Sequence, residues 1–284
     1  MNIDIVKDVL LPIGIFAALG LVFGAILAIA SKIFEVKVDE RVPLVTEALP
    51  GASCGGCGYS GCAALAEAIV KGEAKPNACS VGGNEAAKTI GAIMGVEVEE
   101  TEQMRAQVMC AGCGEKSKRK YLYIGADDCI SASKTSGGDK LCPGGCLGFG
   151  TCAAACVFDA ITVIDKVAHI DPTKCRGCGT CVALCPKHII KLIPAKADVW
   201  VECSSTQKGA DVRKACDVGC IGCKLCEKAC EFGAISVVDN LARVDYSKCT
   251  YCGKCAEKCP RKIIYNRNGK VVIEETEEKE KQTA

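Results

Sequence analysis

The chain has 284 residues, and 25 of them are cysteines while only two are histidines. Its 35 basic and 34 acidic residues leave a net charge of +1, which argues against a nucleic-acid partner. The odd number and close spacing of the cysteines argue against a secreted disulfide scaffold. They favour iron–sulfur or other metal ligation in a reducing compartment.

The first predicted element is a transmembrane helix. The run from Val9 to Ala30 carries no charge and is long enough to span a bilayer. A cleaved signal peptide and a buried core helix are the alternatives, but the residues before the run are not basic and no polar stripe interrupts it. Lys32 and Lys37 follow the run, so the positive-inside rule predicts a single-pass anchor (1–31) in the plasma membrane with the bulk of the chain in the cytoplasm.

Small residues share one face of this predicted helix, at Gly20, Gly24 and Ala28. Such a face lets another membrane helix approach closely, which would dock the chain onto other membrane subunits. The alternative is that glycine is simply common in membrane helices. Both interpretations stay open.

A glycine-rich cysteine group follows, in a predicted small helical domain at 32–100. Its ligand candidates are Cys54, Cys57, Cys62 and Cys79. The glycines permit the backbone turns that aim several sulfurs at one point. Helices are predicted at 63–74 and 84–94, with Cys79 in the turn between them. Four thiolates suit one 4Fe–4S cluster or one zinc ion, and the ferredoxin-like runs further along favour the cluster.

The rest of the chain contains an internal repeat. A single gapless shift places Cys129 on Cys203 and Cys142 on Cys216, and it superimposes the cysteines that follow. Such self-similarity predicts one structural unit used twice, at 129–195 and at 203–267. A linker with a basic stretch is predicted at 101–128, and a charged tail at 268–284. The basic stretch is either a docking site for an acidic partner or a solvated loop; it comprises Lys116, Lys118, Arg119 and Lys120.

Each unit ends in three cysteines at two-residue gaps, a fourth three residues on, and a proline. This is the ligand run of bacterial ferredoxins, in which the fourth cysteine binds the other of two clusters. The second unit has a further full run upstream. Cross-ligation therefore predicts one cluster on Cys220, Cys223, Cys226 and Cys259, and another on Cys230, Cys249, Cys252 and Cys255.

The first unit departs from this pattern, because Phe149 stands where the repeat has Cys223. Either Cys142 supplies the missing ligand, or that site holds a three-iron cluster or none. The preferred set is Cys142, Cys146, Cys152 and Cys185. Its partner cluster is then predicted on Cys156, Cys175, Cys178 and Cys181.

About five 4Fe–4S clusters are thus predicted, and several cysteines are left over: Cys110, Cys113, Cys129, Cys203 and Cys216. Cys110 and Cys113 could bind zinc or another cluster with Cys129, and packed spare thiols are the alternative. The alternating stretches after Ala160 and Ala234 predict a short hairpin in each unit. The predicted fold class is α+β: a transmembrane helix, a small helical 4Fe–4S domain and two tandem ferredoxin-like units.

The order of membrane helix, Cys54-Gly-Gly-Cys57-x4-Cys62…Cys79 domain and ferredoxin units closely resembles the B subunit of the Rnf ion-translocating ferredoxin:NAD oxidoreductase complex. The resemblance covers the chain up to Asn268, and the second ferredoxin unit is similar to the extended form of that family. The first domain also resembles the iron–sulfur domain of corrinoid iron–sulfur proteins.

The resemblance implies an enzyme subunit that takes electrons from soluble ferredoxin and relays them through its clusters to other membrane and peripheral subunits. NAD would be reduced on another subunit, and the energy would drive Na+ or H+ transport. No catalytic residue and no dinucleotide fingerprint is identified here. A zinc-binding structural or regulatory membrane protein is the alternative. A self-contained enzyme is disfavoured, because the sequence offers no cobalamin or nucleotide site.

Overall fold

A computed structural model describes residues 3–33 and 39–267 of the chain; Lys37 and the predicted charged tail lie outside them. Helix α1 spans Ile3–Ile33. By length and composition its segment Ile13–Lys32 could cross a membrane, and none of that segment is buried. About 20 apolar residues are enough for a helix to cross a bilayer. The prediction of an N-terminal transmembrane helix is confirmed at this level.

The helical domain comes next along the chain. Helix α2 spans Arg41–Ala48, α3 spans Cys62–Val70 and α4 spans Gly83–Met94. Leu65 and Ile90 are 1% and 0% exposed, so α3 and α4 each bury an apolar face. The two helices predicted after the first cysteine group are confirmed, although α3 ends four residues earlier than expected.

The first ferredoxin-like unit has two pairs of antiparallel strands. Strand β1 (Met104–Val108) pairs with β4 (Ile190–Pro194). Strands β2 (Ile161–Ile164) and β3 (Val167–Ile170) form the predicted hairpin. Helices α5 (Cys129–Lys134), α6 (Thr151–Ala154) and α7 (Thr180–Leu184) lie between these strands in sequence.

The second unit repeats the arrangement. Strand β5 (Val199–Val201) pairs with β8 (Ile264–Asn266), and β6 (Ile235–Val238) pairs with β7 (Leu241–Val244) as the second predicted hairpin. In both hairpins the two turn residues have positive φ, namely Asp165, Lys166, Asp239 and Asn240. Two such residues in sequence are typical of the tight turns that join antiparallel strands. The helices of this unit are α8 (Gly209–Ala215), α9 (Leu225–Lys228) and α10 (Lys254–Glu257).

The short helices position one cysteine each. Cys152, Cys181, Cys226 and Cys255 lie on α6, α7, α9 and α10, respectively, and all four are buried. Each helix follows a residue in the left-handed region: Gly150, Gly179, Lys224 or Gly253. That conformation reverses the chain where the cysteine loop gives way to the helix, and glycine adopts it at low cost.

The predicted domain boundaries need correction. Residues 101–128 are not a linker, because β1 lies among them and pairs with the last strand of the first unit. The first unit therefore begins near Met104 instead of at residue 129. The second begins at Val199, ahead of the predicted residue 203.

The strand pairing also corrects the gapless repeat. Met109 N donates to Ile189 O at 2.8 Å, and Glu202 N donates to Ile263 O at 2.8 Å. The repeat places Ile189 on Ile263, so the residues after these two donors correspond as well. Cys110 is thus the counterpart of Cys203. The first unit carries an insertion that the second lacks, and Cys129 lies in it.

Candidate metal centres

Both cysteine sets predicted for the second unit come together. One cavity is lined by Cys220, Cys223, Cys226 and Cys259. Another is lined by Cys230, Cys249, Cys252 and Cys255. In both cavities three cysteines come from one run and the fourth from the other, as cross-ligation requires.

The last cysteine run of the first unit gathers in the same way. Cys181 is buried, and burial together with the nearby thiols of Cys175 and Cys178 raises its pKa to about 12. Cys156 also contributes to this shift, so the predicted fourth ligand lies nearby. Backbone N–H groups point at two of these sulfurs. Ala106 N donates to Cys175 Sγ, and Ala160 N donates to Cys156 Sγ, each at 3.4 Å.

The other site of the first unit differs from the prediction. One cavity is lined by Cys129, Cys146, Cys152 and Cys185. Cys142, the expected fourth ligand, instead lines a different cavity with Cys110, Cys203 and Cys216. The set expected for this cluster is therefore corrected, with Cys129 in place of Cys142.

The insertion in the first unit brings Cys129 to this cavity. Asp128 caps α5, since its carboxylate accepts hydrogen bonds from Ile130 N and Ser131 N. Cys129 N donates to Thr151 Oγ1 at 2.7 Å, and Thr151 begins α6, which carries Cys152. Phe149, which stands in the place of a cysteine, packs edge-on against Tyr123 of the insertion with ring centroids 5.1 Å apart. Cys129, from a segment well upstream of Phe149, thus completes a set of four cysteines around this cavity.

The first domain carries its four cysteines on the glycine-rich loop, at the start of α3 and before α4; all four are half-buried. Cys79 lies close enough to raise the pKa of Cys54, although burial is the larger cause. Gly82 N donates to Cys79 Sγ at 3.4 Å. The thiols of Cys54 and Cys79, the most distant pair of the predicted set in sequence, thus lie close enough to interact electrostatically.

This loop packs against the first ferredoxin-like unit. Thr180 Oγ1 donates to Cys54 O at 3.2 Å. A Cβ added at Gly56 would overlap the backbone carbonyl of Cys178, so only glycine fits there. The Cys178 thiol also raises the pKa of Cys54, again with burial as the larger cause. The first domain therefore presents its cysteine loop directly to the Cys175–Cys181 loop.

The donor sets fit iron–sulfur clusters better than zinc. One zinc ion would draw its thiolates to about 2.3 Å from a single point. A 4Fe–4S cluster has four irons, each bound by one thiolate, and so spreads its ligands around a cavity. Backbone N–H donors to sulfur are also present at sulfurs of these cavities, as at Cys230, which accepts from Ala234 N at 3.3 Å.

Family models agree with these placements. A model described as "Putative Fe-S cluster" matches residues 49–81. A "4Fe-4S binding domain" model matches residues 168–191, and a "4Fe-4S dicluster domain" model matches residues 219–263.

Curated relatives cover nearly the whole chain. The chain is 47% identical to the B subunit of the Na+-translocating ferredoxin:NAD+ oxidoreductase complex of Acetobacterium woodii, over 94% of this chain and 82% of that one. It is 45% identical to the B subunit of the ion-translocating oxidoreductase complex of Methanosarcina acetivorans, over 89% and 96%. It is 40% identical to the B subunit of the proton-translocating ferredoxin:NAD+ oxidoreductase complex of Clostridium ljungdahlii, over 91% and 92%.

Proposed function

Because the chain belongs to the family of B subunits of Rnf ion-translocating oxidoreductase complexes, we propose that it accepts electrons from reduced soluble ferredoxin and relays them towards NAD on another subunit. Its 4Fe–4S domains make it an electron-transfer subunit of such a complex. Each 4Fe–4S cluster, when bound, supplies a carrier of one electron. The names of the relatives include both Na+ and the proton, so the proposal covers either ion.

The observation that carries this proposal is that the thiol sets adjoin one another. The Cys54 loop of the first domain packs against the Cys178 loop of the first ferredoxin-like unit, where Thr180 Oγ1 donates to Cys54 O and Gly56 lies against the Cys178 carbonyl. In the same unit, Cys152 lies near enough to raise the pKa of Cys181 although the two belong to different sets. The chain's own residues thus hold separate redox sites next to each other, which a relay requires and a set of independent structural metal sites does not.

The short helices contribute to this spacing in the second unit. Cys226 and Cys230 line different cavities, yet they are four residues apart across the end of α9. One helical turn over that separation advances about 6 Å. Cross-ligation therefore keeps the two cavities of the unit close together.

Helix α1 supports a place at the membrane. By length and composition it could span the bilayer, and Lys32 lies in its last turn. We infer that the bulk of the chain lies on the cytoplasmic side, where soluble ferredoxin would reach it, and that other membrane and peripheral subunits of the complex bind it.

Rapid mixing tests this function. Reduced ferredoxin mixed anaerobically with the full-length, iron-loaded chain is expected to bleach the visible absorbance of the chain, by one electron for each reduced cluster of the ferredoxin. Exposed basic side chains such as Lys118 would steer an acidic ferredoxin, so the rate should fall as ionic strength rises. Oxidised ferredoxin is the control and should cause no bleaching. A chain that holds iron and sulfide but takes no electrons from ferredoxin would contradict the proposal.

A further inference from the structure

Between the two ferredoxin-like units lies a cavity that has four cysteines in its lining, and no ferredoxin run accounts for this set. The first unit contributes Cys110 and Cys142, and the second contributes Cys203 and Cys216. None of the three family matches assigns a role to these positions as a set, and together they span residues from both units.

The sulfurs face a common space. If Gly112 carried a Cβ, that atom would lie 3.6 Å from Cys110 Sγ and 3.5 Å from Cys216 Sγ. The two sulfurs come from different units, and Cys216 is only 7% exposed. Cys142 and Cys203 line the same cavity as these two sulfurs.

The internal repeat relates the two cysteines of the first unit to the two cysteines of the second. Cys110 and Cys203 follow equivalent strands, β1 and β5, and the repeat places Cys142 on Cys216. The hydrogen bonds to sulfur match as well. Cys146 N donates to Cys110 Sγ at 3.4 Å, and Cys220 N donates to Cys203 Sγ at 3.3 Å. Two equivalent half-sites therefore face each other across the junction.

The backbone holds these half-sites together. Ala111 N donates to Glu202 O at 3.0 Å, which ties the residue after Cys110 to the residue before Cys203. On the other side, Lys118 N donates to Ala215 O at 2.9 Å and Asp217 N donates to Lys116 O at 2.8 Å, on either side of Cys216. These bonds occupy the backbone of the basic stretch while leaving several of its side chains exposed.

We propose that Cys110, Cys142, Cys203 and Cys216 bind a sixth 4Fe–4S cluster that bridges the two ferredoxin-like units. The inference builds on the electron-relay function proposed above and completes it. Cys146 belongs to a cavity of the first unit and Cys220 to a cavity of the second, and each touches this junction through its N–H group. A cluster at this junction would provide a redox site between the two ferredoxin-like units, where the five predicted clusters provide none.

The remaining cysteine offers a matched control. Cys113 lies three residues after Cys110 and is half-buried, but it is not among the residues that line the junction cavity. If these cysteines were only packed thiols, a substitution at Cys113 and one at Cys216 should have the same effect on bound iron. If the junction holds a cluster, only the substitution at Cys216 should release iron.

The first measurement is iron and acid-labile sulfide on the full-length chain, purified without oxygen. Six clusters require about 24 iron and 24 sulfide per chain, and five require about 20 of each. A count near 20 would overturn the sixth cluster and leave the relay function intact. Absence of iron would overturn both. Zinc bound at the junction would overturn the assignment of a cluster there.

The second measurement uses Cys216→Ala, Cys142→Ala and the double variant. Each single variant is expected to lose about four iron and four sulfide, and the double variant should lose no more than either single one, because both residues bind the same cluster. Cys113→Ala should lose none. Additive losses would place Cys142 and Cys216 in separate sites and overturn the proposal. If a variant loses all its iron through misfolding, the wild-type count still decides.

Discussion

Replacing Cys181 with alanine is expected to abolish electron transfer between the first domain and the rest of the chain. Cys181 is buried in the middle of its thiol set, with Cys175, Cys178 and Cys156 around it. That set adjoins the first domain on one side, through Cys178 and Cys54, and the neighbouring set on the other, through Cys152. Loss of the site therefore divides the series of sites, so that electrons entering on one side of it no longer reach the other.

The readout is ferredoxin-dependent NAD reduction by the assembled complex. We expect a fall of at least about 100-fold, equivalent to roughly 2.7 kcal/mol of barrier. Cys113→Ala is the matched control, since Cys113 lies in the same unit but lines none of the four cysteine cavities. Iron content should fall by about one cluster in Cys181→Ala. Full NAD reduction with that cluster absent would show that electrons bypass the site.

Replacing Gly56 with alanine is expected to separate the first domain from the Cys175–Cys181 loop. The added Cβ would overlap the carbonyl oxygen of Cys178, which belongs to the backbone and has little room to move. Gly56 is not among the residues with positive φ, so alanine fits its local backbone and the clash is the only obstacle. The first domain should keep its own iron, while NAD reduction by the complex falls about tenfold or more, or about 1.4 kcal/mol.

Gly61 gives the control for this substitution. It lies on the same loop in an extended conformation, with φ 170°, and a Cβ there would meet Ser53 Oγ at an ordinary 3.4 Å. Gly61→Ala should therefore leave both iron content and NAD reduction near wild type. Equal activity in the two variants would mean that the contact between Gly56 and Cys178 does not matter for electron transfer.

The sequence predicted the parts of these sites that depend on short-range spacing. In Cys249, Cys252 and Cys255 the two-residue gaps dictate that three sulfurs converge, and the structure places them in one cavity. The hairpins follow equally directly, because alternating apolar residues are interrupted by a pair of turn residues such as Asp239 and Asn240.

The parts that depend on contacts between distant segments could not be predicted in this way. The gapless repeat put Cys129 on Cys203 because both are cysteines at the same offset, whereas strand pairing makes Cys110 the counterpart. The insertion between β1 and α6 hides the equivalence of Cys110 and Cys203. Cys110 and Cys146 are 36 residues apart, whereas the equivalent Cys203 and Cys220 are 17 residues apart. Only the folded chain brings Cys129 to the site that Phe149 leaves short of a ligand.

The junction cavity was missed for the same reason. Its four cysteines have no common local motif, and each half-site has two sulfurs, too few to suggest a cluster alone. One signal was available: Cys142 and Cys216 are equivalent in the repeat yet lie outside both ferredoxin runs. A repeated residue that the repeated motif does not use indicates a role at the contact between repeats.

An anaerobic reductive titration of the full-length chain tests the central claim most directly. With titanium(III) citrate as reductant and the visible absorbance as readout, the chain should take up about six electrons, one for each 4Fe–4S cluster. A chain that binds metal at its cysteines but accepts no electrons would contradict the claim that this protein is an electron relay.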